Sequence, residues 1–342
     1  MRYIGGKSLI IDKIFKVLDD NLCNINSVTD IFSGSGVVAS AFKQKGYQVI
    51  TNDLLYFSYV LNRGSVCLNY IPKFEGLDGL DPIHYLNDLQ IENTNYDLKD
   101  CFIYQNYSPN ENCNRMYFQN NNAIKIDIIR KTIEDWKKLS KISEDEYFYL
   151  LASLISAIPY VSNITGVYGA YLKNWDKRTY KDLILNHSEI IESDKKNVAY
   201  NLDANELAGS IYSDLTYIDP PYNSRQYLPN YHVLETIARY DNPKISGVTG
   251  LREYGDQKSG YCQRANVANV FAELLDKLDT KYILISYNNE GLLSTDELSD
   301  IVISAGIKST FKLYEFDYRR YKSKIPNNEK GLKEQLYFIR KK

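Results

Sequence analysis

Val28-Thr29-Asp30-Ile31-Phe32-Ser33-Gly34-Ser35-Gly36, followed by Val37 to Lys45 and then Gly46, is the stretch from which the fold is read. Val28 to Phe32 has the short apolar run of a buried strand, and it breaks into Ser33-Gly34-Ser35-Gly36. Val37 to Lys45 reads as a helix stopped by Gly46, and Gln48 to Asn52 as a second strand ending at Asp53. The unit is therefore β-α-β, with a glycine-rich first turn and an acid closing the second strand. Glycines let a backbone approach a ligand closely, and the helix N-terminus behind them attracts a carboxylate or phosphate. Alanine stands at the third glycine position of the G-x-G-x-x-G pattern, a tolerated exchange, so a dinucleotide cofactor stays open. Asp53, 17 residues beyond Gly36, has the chemistry to accept both ribose hydroxyls of either NAD or S-adenosylmethionine.

Working outward, Ser8 to Leu22 carries Leu9, Ile10, Ile14, Phe15, Val17 and Leu18 at helical spacing. From about residue 61 to 195 the character changes. Asn106 to Asn122 is crowded with amide and tyrosine side chains, and helical patterns follow over Lys125 to Leu139 and Glu144 to Ile158. The α/β rhythm resumes with strands at Val198 to Leu202, Leu215 to Ile218 and Tyr282 to Tyr287, and a final pair at Ser309 to Phe316 and Gln335 to Arg340. The expected fold is α/β: a mostly parallel sheet whose last strand is antiparallel, with a largely helical insertion. Residues 1–60 and 195–342 form the expected catalytic part and 61–194 the insertion.

Composition narrows the function classes. Five scattered cysteines without C-x-x-C spacing and three separated histidines make a zinc or other metal site and disulfides unexpected. No apolar run reaches membrane-span length and the N-terminus has no secretory pattern, so no membrane association and a cytoplasmic location are expected. A net charge of -2 gives no global pull on nucleic acid. Positive charge must then be local, and Tyr318-Arg319-Arg320-Tyr321-Lys322-Ser323-Lys324 is the best basic, aromatic-interleaved stretch. A solvated loop is its plain alternative.

Asp219-Pro220-Pro221-Tyr222 directly follows a predicted strand. Two prolines remove two donors and hold the chain extended, pointing carbonyls and side chains into the crevice at the strand's carboxyl end. Such a site suits methylation of an amine conjugated to a ring. The lone pair of such an amine is delocalised, and a carboxylate and a carbonyl accepting its two N–H bonds would localise it. Asp219 and the Pro220 carbonyl have that chemistry, Pro221 fixes the turn, and Tyr222 offers a face for a flipped base to stack on.

With these motifs in order, the chain resembles the D12, Dam-like class of DNA adenine N6-methyltransferases. Arg2-Tyr3-Ile4-Gly5-Gly6-Lys7-Ser8 is similar to the family's opening, Phe32 to Gly36 to its cofactor loop, Asn52-Asp53 to its ribose site, and Asp219 to Tyr222 to its D-P-P-Y signature. Asn201-Leu202-Asp203-Ala204 resembles the acidic position near the cofactor's adenine. Tyr231 to Thr236 and Ser286 to Gly291 resemble a subgroup tied to restriction-modification systems. The resemblance implies a Rossmann-like methyltransferase sheet, S-adenosylmethionine as cofactor, duplex DNA as partner and a cognate restriction endonuclease encoded nearby. Tyr3, Gly6 and Lys7 would then serve the methionine end of the cofactor, and Phe32, Ser33, Gly34 and Gly36 would wrap it. Asp53 would hold the ribose, Asp203 would lie near the adenine, and Asp219 would stand between cofactor and amine. The insertion would be the target-recognition domain. In it Asn163-Ile164-Thr165-Gly166-Val167-Tyr168-Gly169-Ala170-Tyr171-Leu172-Lys173 resembles a DNA-probing hairpin, with Asn163, Tyr168, Tyr171 and Lys173 touching DNA. The proline that often follows in the family is absent here. Arg319, Arg320 and Lys322 would add phosphate contacts.

Three alternatives remain at this point. A methyltransferase acting on RNA adenine or on a protein glutamine shares most of the chemistry. An NAD-dependent oxidoreductase explains Gly34, Gly36 and Asp53 but leaves Lys7 and Asp219 without roles. A non-catalytic DNA-binding module has to explain why every motif is intact.

Overall fold

The computed structural model describes residues 6–21, 24–317 and 333–342. Tyr3, Arg319, Arg320 and Lys322 lie outside the described residues. The β-α-β unit forms as read, with β1 (Ser27–Asp30), the helix Val37–Gln44 and β2 (Gln48–Asn52). Strands β3 (Val198–Tyr200) and β4 (Tyr212–Ile218) follow, then a small antiparallel ribbon of β5 (Ile245–Ser246) and β6 (Leu251–Arg252). The main sheet is completed by β7 (Asp279–Asn288), β8 (Lys312–Asp317) and β9 (Lys333–Arg340). Its order is β3-β2-β1-β4-β7-β9-β8, seven strands in all. The first five run parallel, while β9 is antiparallel to both β7 and β8.

Strand alternation sends successive side chains to opposite faces, and the two cores follow that parity. Leu215, Leu284, Leu336 and Phe338 join Ile14, Leu18 and Phe42 from the helices Ile11–Asp20 and Val37–Gln44 on one face. Ile283, Ile285, Tyr337 and Ile339 join Phe271, Leu275 and Leu298 from Val267–Lys277 and Thr295–Ala305 on the other. Those last two helices, and Leu228–Arg239, are not among the elements expected from the sequence pattern. Thr295–Ala305 nevertheless starts with a capping box, Ser294 and Glu297 satisfying each other's backbone donors, as Ser143 and Glu146 do for Glu144–Ala157.

The segment between β2 and β3 is largely helical and built around Asn120–Lys138 and Glu144–Ala157. Its apolar residues (Val60, Ile129, Leu151 and Ile155 among them) share one cluster with Leu228, Tyr231, Leu234 and Ile237 of Leu228–Arg239. The join at the start of this segment is tied by buried Glu235, whose two carboxylate oxygens accept the Tyr56 and Phe57 amides opening the helix Tyr56–Leu61. Gly64 then allows a close crossing, since a Cβ there would stand 2.2 Å from the Phe148 carbonyl oxygen.

The segment 163–173 is not a β-hairpin. It is an irregular loop clasped at its ends, where Leu172 N donates to Asn163 O at 2.9 Å and Asn163 Nδ2 donates to Leu172 O at 2.9 Å. Among the described residues no helix is long and apolar enough to cross a membrane.

Candidate active site

A cleft opens at the carboxyl ends of β1, β2 and β4, where the crossover helices turn away and leave the strand ends uncovered. Gly6, Lys7, Asp30, Phe32, Ser33, Gly34, Asp53, Asp203 and Asp219 all line it, so motifs spread over the chain converge on one space. Gly36 supports this wall from behind. Its φ is +77° and a Cβ would meet Asn62 Oδ1 at 2.7 Å, so both conformation and space require glycine. Asn62 in turn donates to Gly34 O at 3.1 Å and holds the loop closed.

The electrostatics are dominated by acids. Asp53 accepts Gly34 N at 2.8 Å through Oδ2 and Leu55 N at 2.9 Å through Oδ1, and burial pushes its carboxyl up to about 6. Asp30 is fully buried, and burial followed by the neighbouring Asp219 and Asp53 carboxylates holds it well above the usual range. Among the described residues, Asp30 Oδ1 and the Tyr217 hydroxyl find no hydrogen-bond partner. Asp203 caps the short helix Ala204–Leu207 by accepting Asn205 N at 2.8 Å.

Asp219 follows the last residue of β4. Its Oδ1 is 3.1 Å from the Lys7 ammonium, and Lys7 also donates to Glu334 Oε1 on β9. Burial raises the Asp219 carboxyl to about 7 against the pull of Lys7. Burial alone would lower the Lys7 ammonium, but Asp219 and then Glu334 raise it above its ordinary value. Lys7 is thus committed to two protein carboxylates, a partnership that its expected role toward a cofactor carboxylate did not anticipate.

Pro221 lines the cleft, and the neighbouring Pro220 is buried. Tyr222, read as an open stacking face, is only 9% exposed and packs edge-on against Tyr287 with ring centroids 6.4 Å apart. The aromatic lining comes instead from Phe32, Tyr217, Tyr227 and Tyr261. Tyr227 lies within electrostatic reach of Asp219, which, after burial, raises its hydroxyl further. Gln226 and Ser259 close the wall with a reciprocal pair of bonds at 2.8 and 3.0 Å.

The direct DNA contact expected of Asn163 and Tyr168 is corrected, because both side chains are buried. Asn163 Oδ1 accepts Asp176 N at 2.9 Å, and the Tyr168 hydroxyl meets Ser162 Oγ at 2.9 Å. The Tyr168 carbonyl accepts from Tyr117 Oη at 2.7 Å and faces His232 Nε2 at 2.9 Å. These residues shape the loop from within. Tyr171 is half-buried against Tyr117, and Lys173 is exposed. Site residues not singled out from the sequence include Asp30, Asn62, Tyr217, Tyr227, Tyr261 and Glu334. Only Asp30, an acid at the end of a strand before a glycine loop, carried a local signal.

The sequence profile of the D12 class N6 adenine-specific DNA methyltransferases matches residues 3–301. The type II methyltransferase M.FokI of Planomicrobium okeanokoites is 46% identical over the whole chain, and the modification methylase StsI of Streptococcus sanguinis 40%. The chain spans about half the length of these two relatives, 53% and 52%. M.NlaIII of Neisseria lactamica is 38% identical over 96% of this chain and 94% of its own length. The chain belongs to the D12 class of N6 adenine-specific DNA methyltransferases.

Proposed function

We propose that this protein transfers a methyl group from S-adenosylmethionine to N6 of an adenine flipped out of duplex DNA, as the modification enzyme of a type II restriction-modification system. The observation that carries the reading is Asp219: a largely buried carboxylate at the end of β4, in one cleft with Asp53 and Asp30, with one oxygen held by Lys7.

The cleft fits the cofactor on its own chemistry. Asp53 keeps acceptor capacity for a ribose diol beside the two amides it already accepts. Buried Asp30, with an oxygen lacking a partner, suits a cationic group. Phe32, Leu54, Leu202 and Tyr261 offer flat or apolar surface for a purine, with Asp203 near its edge. When bound, S-adenosylmethionine supplies an electrophilic methyl on a positively charged sulfur. The sheet is then a Rossmann-like methyltransferase sheet, residues 1–60 and 195–342 its catalytic part, and 61–194 the target-recognition domain.

Ionised Asp219 accepts one N–H of the adenine amine and the Pro220 carbonyl accepts the other. This draws the nitrogen lone pair out of conjugation and aims it across the cleft. Transfer to this nitrogen would form the C–N bond as the methyl–sulfur bond breaks, its electron pair returning to sulfur to leave a neutral thioether. The surplus proton would lie on the N–H that Asp219 accepts, and a carboxyl poised near 7 can take it and pass it to water. Tyr227 provides the ring face for the flipped base, worth about 1–3 kcal/mol.

The test is transfer of tritiated methyl from S-adenosylmethionine to duplex DNA. Label is expected in N6-methyladenine at one sequence, and label appearing only in RNA or protein would sink the reading. Asp219→Ala is expected to abolish transfer while duplex binding stays within about threefold, because phosphate contacts lie elsewhere.

A further inference from the structure

We propose that Glu334 is a positioning residue for methyl transfer: it anchors the Lys7 ammonium so that Lys7 engages one oxygen of Asp219 and leaves the other for the substrate amine. This rests on the reading of Asp219 as the acceptor of the amine N–H.

Sheet topology puts Glu334 where it can act. Strand β9 runs antiparallel to β7, so its first residues lie at the carboxyl ends of the parallel strands, beside the cleft. Glu334 pairs across the ladder with Asn288 at the end of β7. It shares strand parity with Leu336 and Phe338, which belong to the apolar core of that face. An acid only 2% exposed at that position is costly unless it is paired, and a leucine would pack there at no such cost. Its partners are specific. Ser286 Oγ donates to Oε1 at 2.5 Å, and Lys7 donates to the same oxygen from 327 residues away in sequence.

Lysine is a point charge on a flexible four-carbon stem with three donors. Held by Glu334, the ammonium reaches Asp219 Oδ1 at 3.1 Å. Released from Glu334, it would be free to straddle both Asp219 oxygens and compete with the amine, or to swing toward a cofactor carboxylate. The other titratable groups facing Asp219 are Asp30 on β1, Tyr217 on β4 and Tyr227 beyond the D-P-P-Y turn, and none of them is a cation. Among the described residues, Lys7 is therefore the one counter-charge Asp219 has, and Glu334 sets its place.

The experiment compares Glu334→Ala, Glu334→Gln and Asp219→Ala in the full chain, by single-turnover methylation of duplex DNA at saturating S-adenosylmethionine, cofactor titration, melting temperature and pH profile. Glu334→Ala is expected to slow the single-turnover step about 10- to 100-fold while cofactor affinity changes less than about twofold. Glu334→Gln, whose amide oxygen still accepts from Lys7, is expected to recover most of that loss. Its acid limb should move to lower pH, because a negative neighbour of Asp219 has been neutralised. Equal losses in both variants with a matching fall in melting temperature would make Glu334 a structural residue and overturn the proposal. So would a Glu334→Ala defect confined to cofactor affinity, which would assign Lys7 to the cofactor. Should Asp219→Ala retain turnover, the acceptor reading itself fails. An inactive Asp219→Ala beside a normal Glu334→Ala defeats the present inference alone.

Discussion

At the scale of single residues the site is a set of carboxyls kept out of water with too few cations. Burial outweighs Lys7 and pushes Asp219 up to about 7, so on the proposed mechanism the free enzyme loses its amine acceptor as pH falls through that value. The acid limb of kcat/KM for DNA should therefore lie near 7, with about a tenfold loss per pH unit well below it. Lys7→Met removes the group that lowers Asp219 and should push that limb to higher pH. A limb that stayed put or moved down would separate Lys7 from Asp219. Asp30 gives a stability prediction of opposite flavour. Its folded-state value lies above its unfolded one, so the stability it contributes is full below about pH 4 and is lost as pH rises through its folded value. Asp30→Asn should raise the stability of the cofactor-free protein by about 1–3 kcal/mol at pH 8, with little gain at pH 4.5, and should weaken S-adenosylmethionine binding. Paired melting curves and cofactor titrations check both halves. Asp219, Asp53 and Lys7 were legible from the sequence because each sits in a compact local motif. Glu334 was not, since nothing within β9 says that a residue near the N-terminus will fold against it.

At the scale of elements, the glycine loop proposed to hold the cofactor combines local signals with distant support. The turn at Gly34 and Gly36 was readable, and so was the β-α-β unit around it. The support was not. Asn62 lies in the π-helical turn Asn62–Val66 and reaches back to Gly34 O, a long-range hydrogen bond without a sequence pattern. Gly36→Ala should cost about 1–2 kcal/mol for the left-handed backbone, plus the clash with Asn62 Oδ1. Because one part of that cost is shared with Asn62, Gly36→Ala and Asn62→Ala should combine sub-additively by about 0.5 kcal/mol or more in denaturant unfolding. Full additivity would show that the loop relaxes away from Asn62. The 163–173 segment teaches the converse. Its motif was visible, yet Asn163 and Tyr168 turned inward, the Asn163 amide closing the loop on Leu172 and the Tyr168 hydroxyl bonding Ser162. Amide and aromatic residues are equally suited to reading a base and to satisfying a buried turn, so composition could not decide between them.

At the scale of the molecule, if duplex DNA is the substrate as proposed, a chain of net charge -2 has to meet that polyanion with a local surface. The described residues offer one directly after the clasped loop. Lys173, Lys177, Arg178 and Lys181 fall within nine positions, interleaved with Trp175 and Tyr180, and the one acid among them, Asp176, is engaged by Arg178 at 3.2 Å. Arg178 also donates to Ile164 O at 2.7 Å, which fixes this strip to the base of the loop. Tyr160 and Tyr180 are 65% and 68% exposed. Pro159, Thr165, Arg178 and Lys181 line a surface cleft together with Tyr231 and Leu234, on the same helix whose first residue, Leu228, lines the active-site cleft. Phosphates bound here would belong to the duplex whose adenine, on the proposed mechanism, enters the active-site cleft. Lys177 and Lys181 make the cleaner test, since Arg178 carries structural bonds. If both lysines neutralise phosphates, Lys177→Ala with Lys181→Ala should weaken binding to specific and unrelated duplexes by the same factor. The slope of log affinity against log salt should become shallower by up to about 2, roughly 0.9 for each phosphate that is no longer neutralised. Single-turnover methylation at saturating DNA should be unchanged, because neither lysine lines the active-site cleft. A salt slope identical to the parent's would place the phosphate path elsewhere on the surface, and a loss confined to one sequence would make these lysines readers of bases.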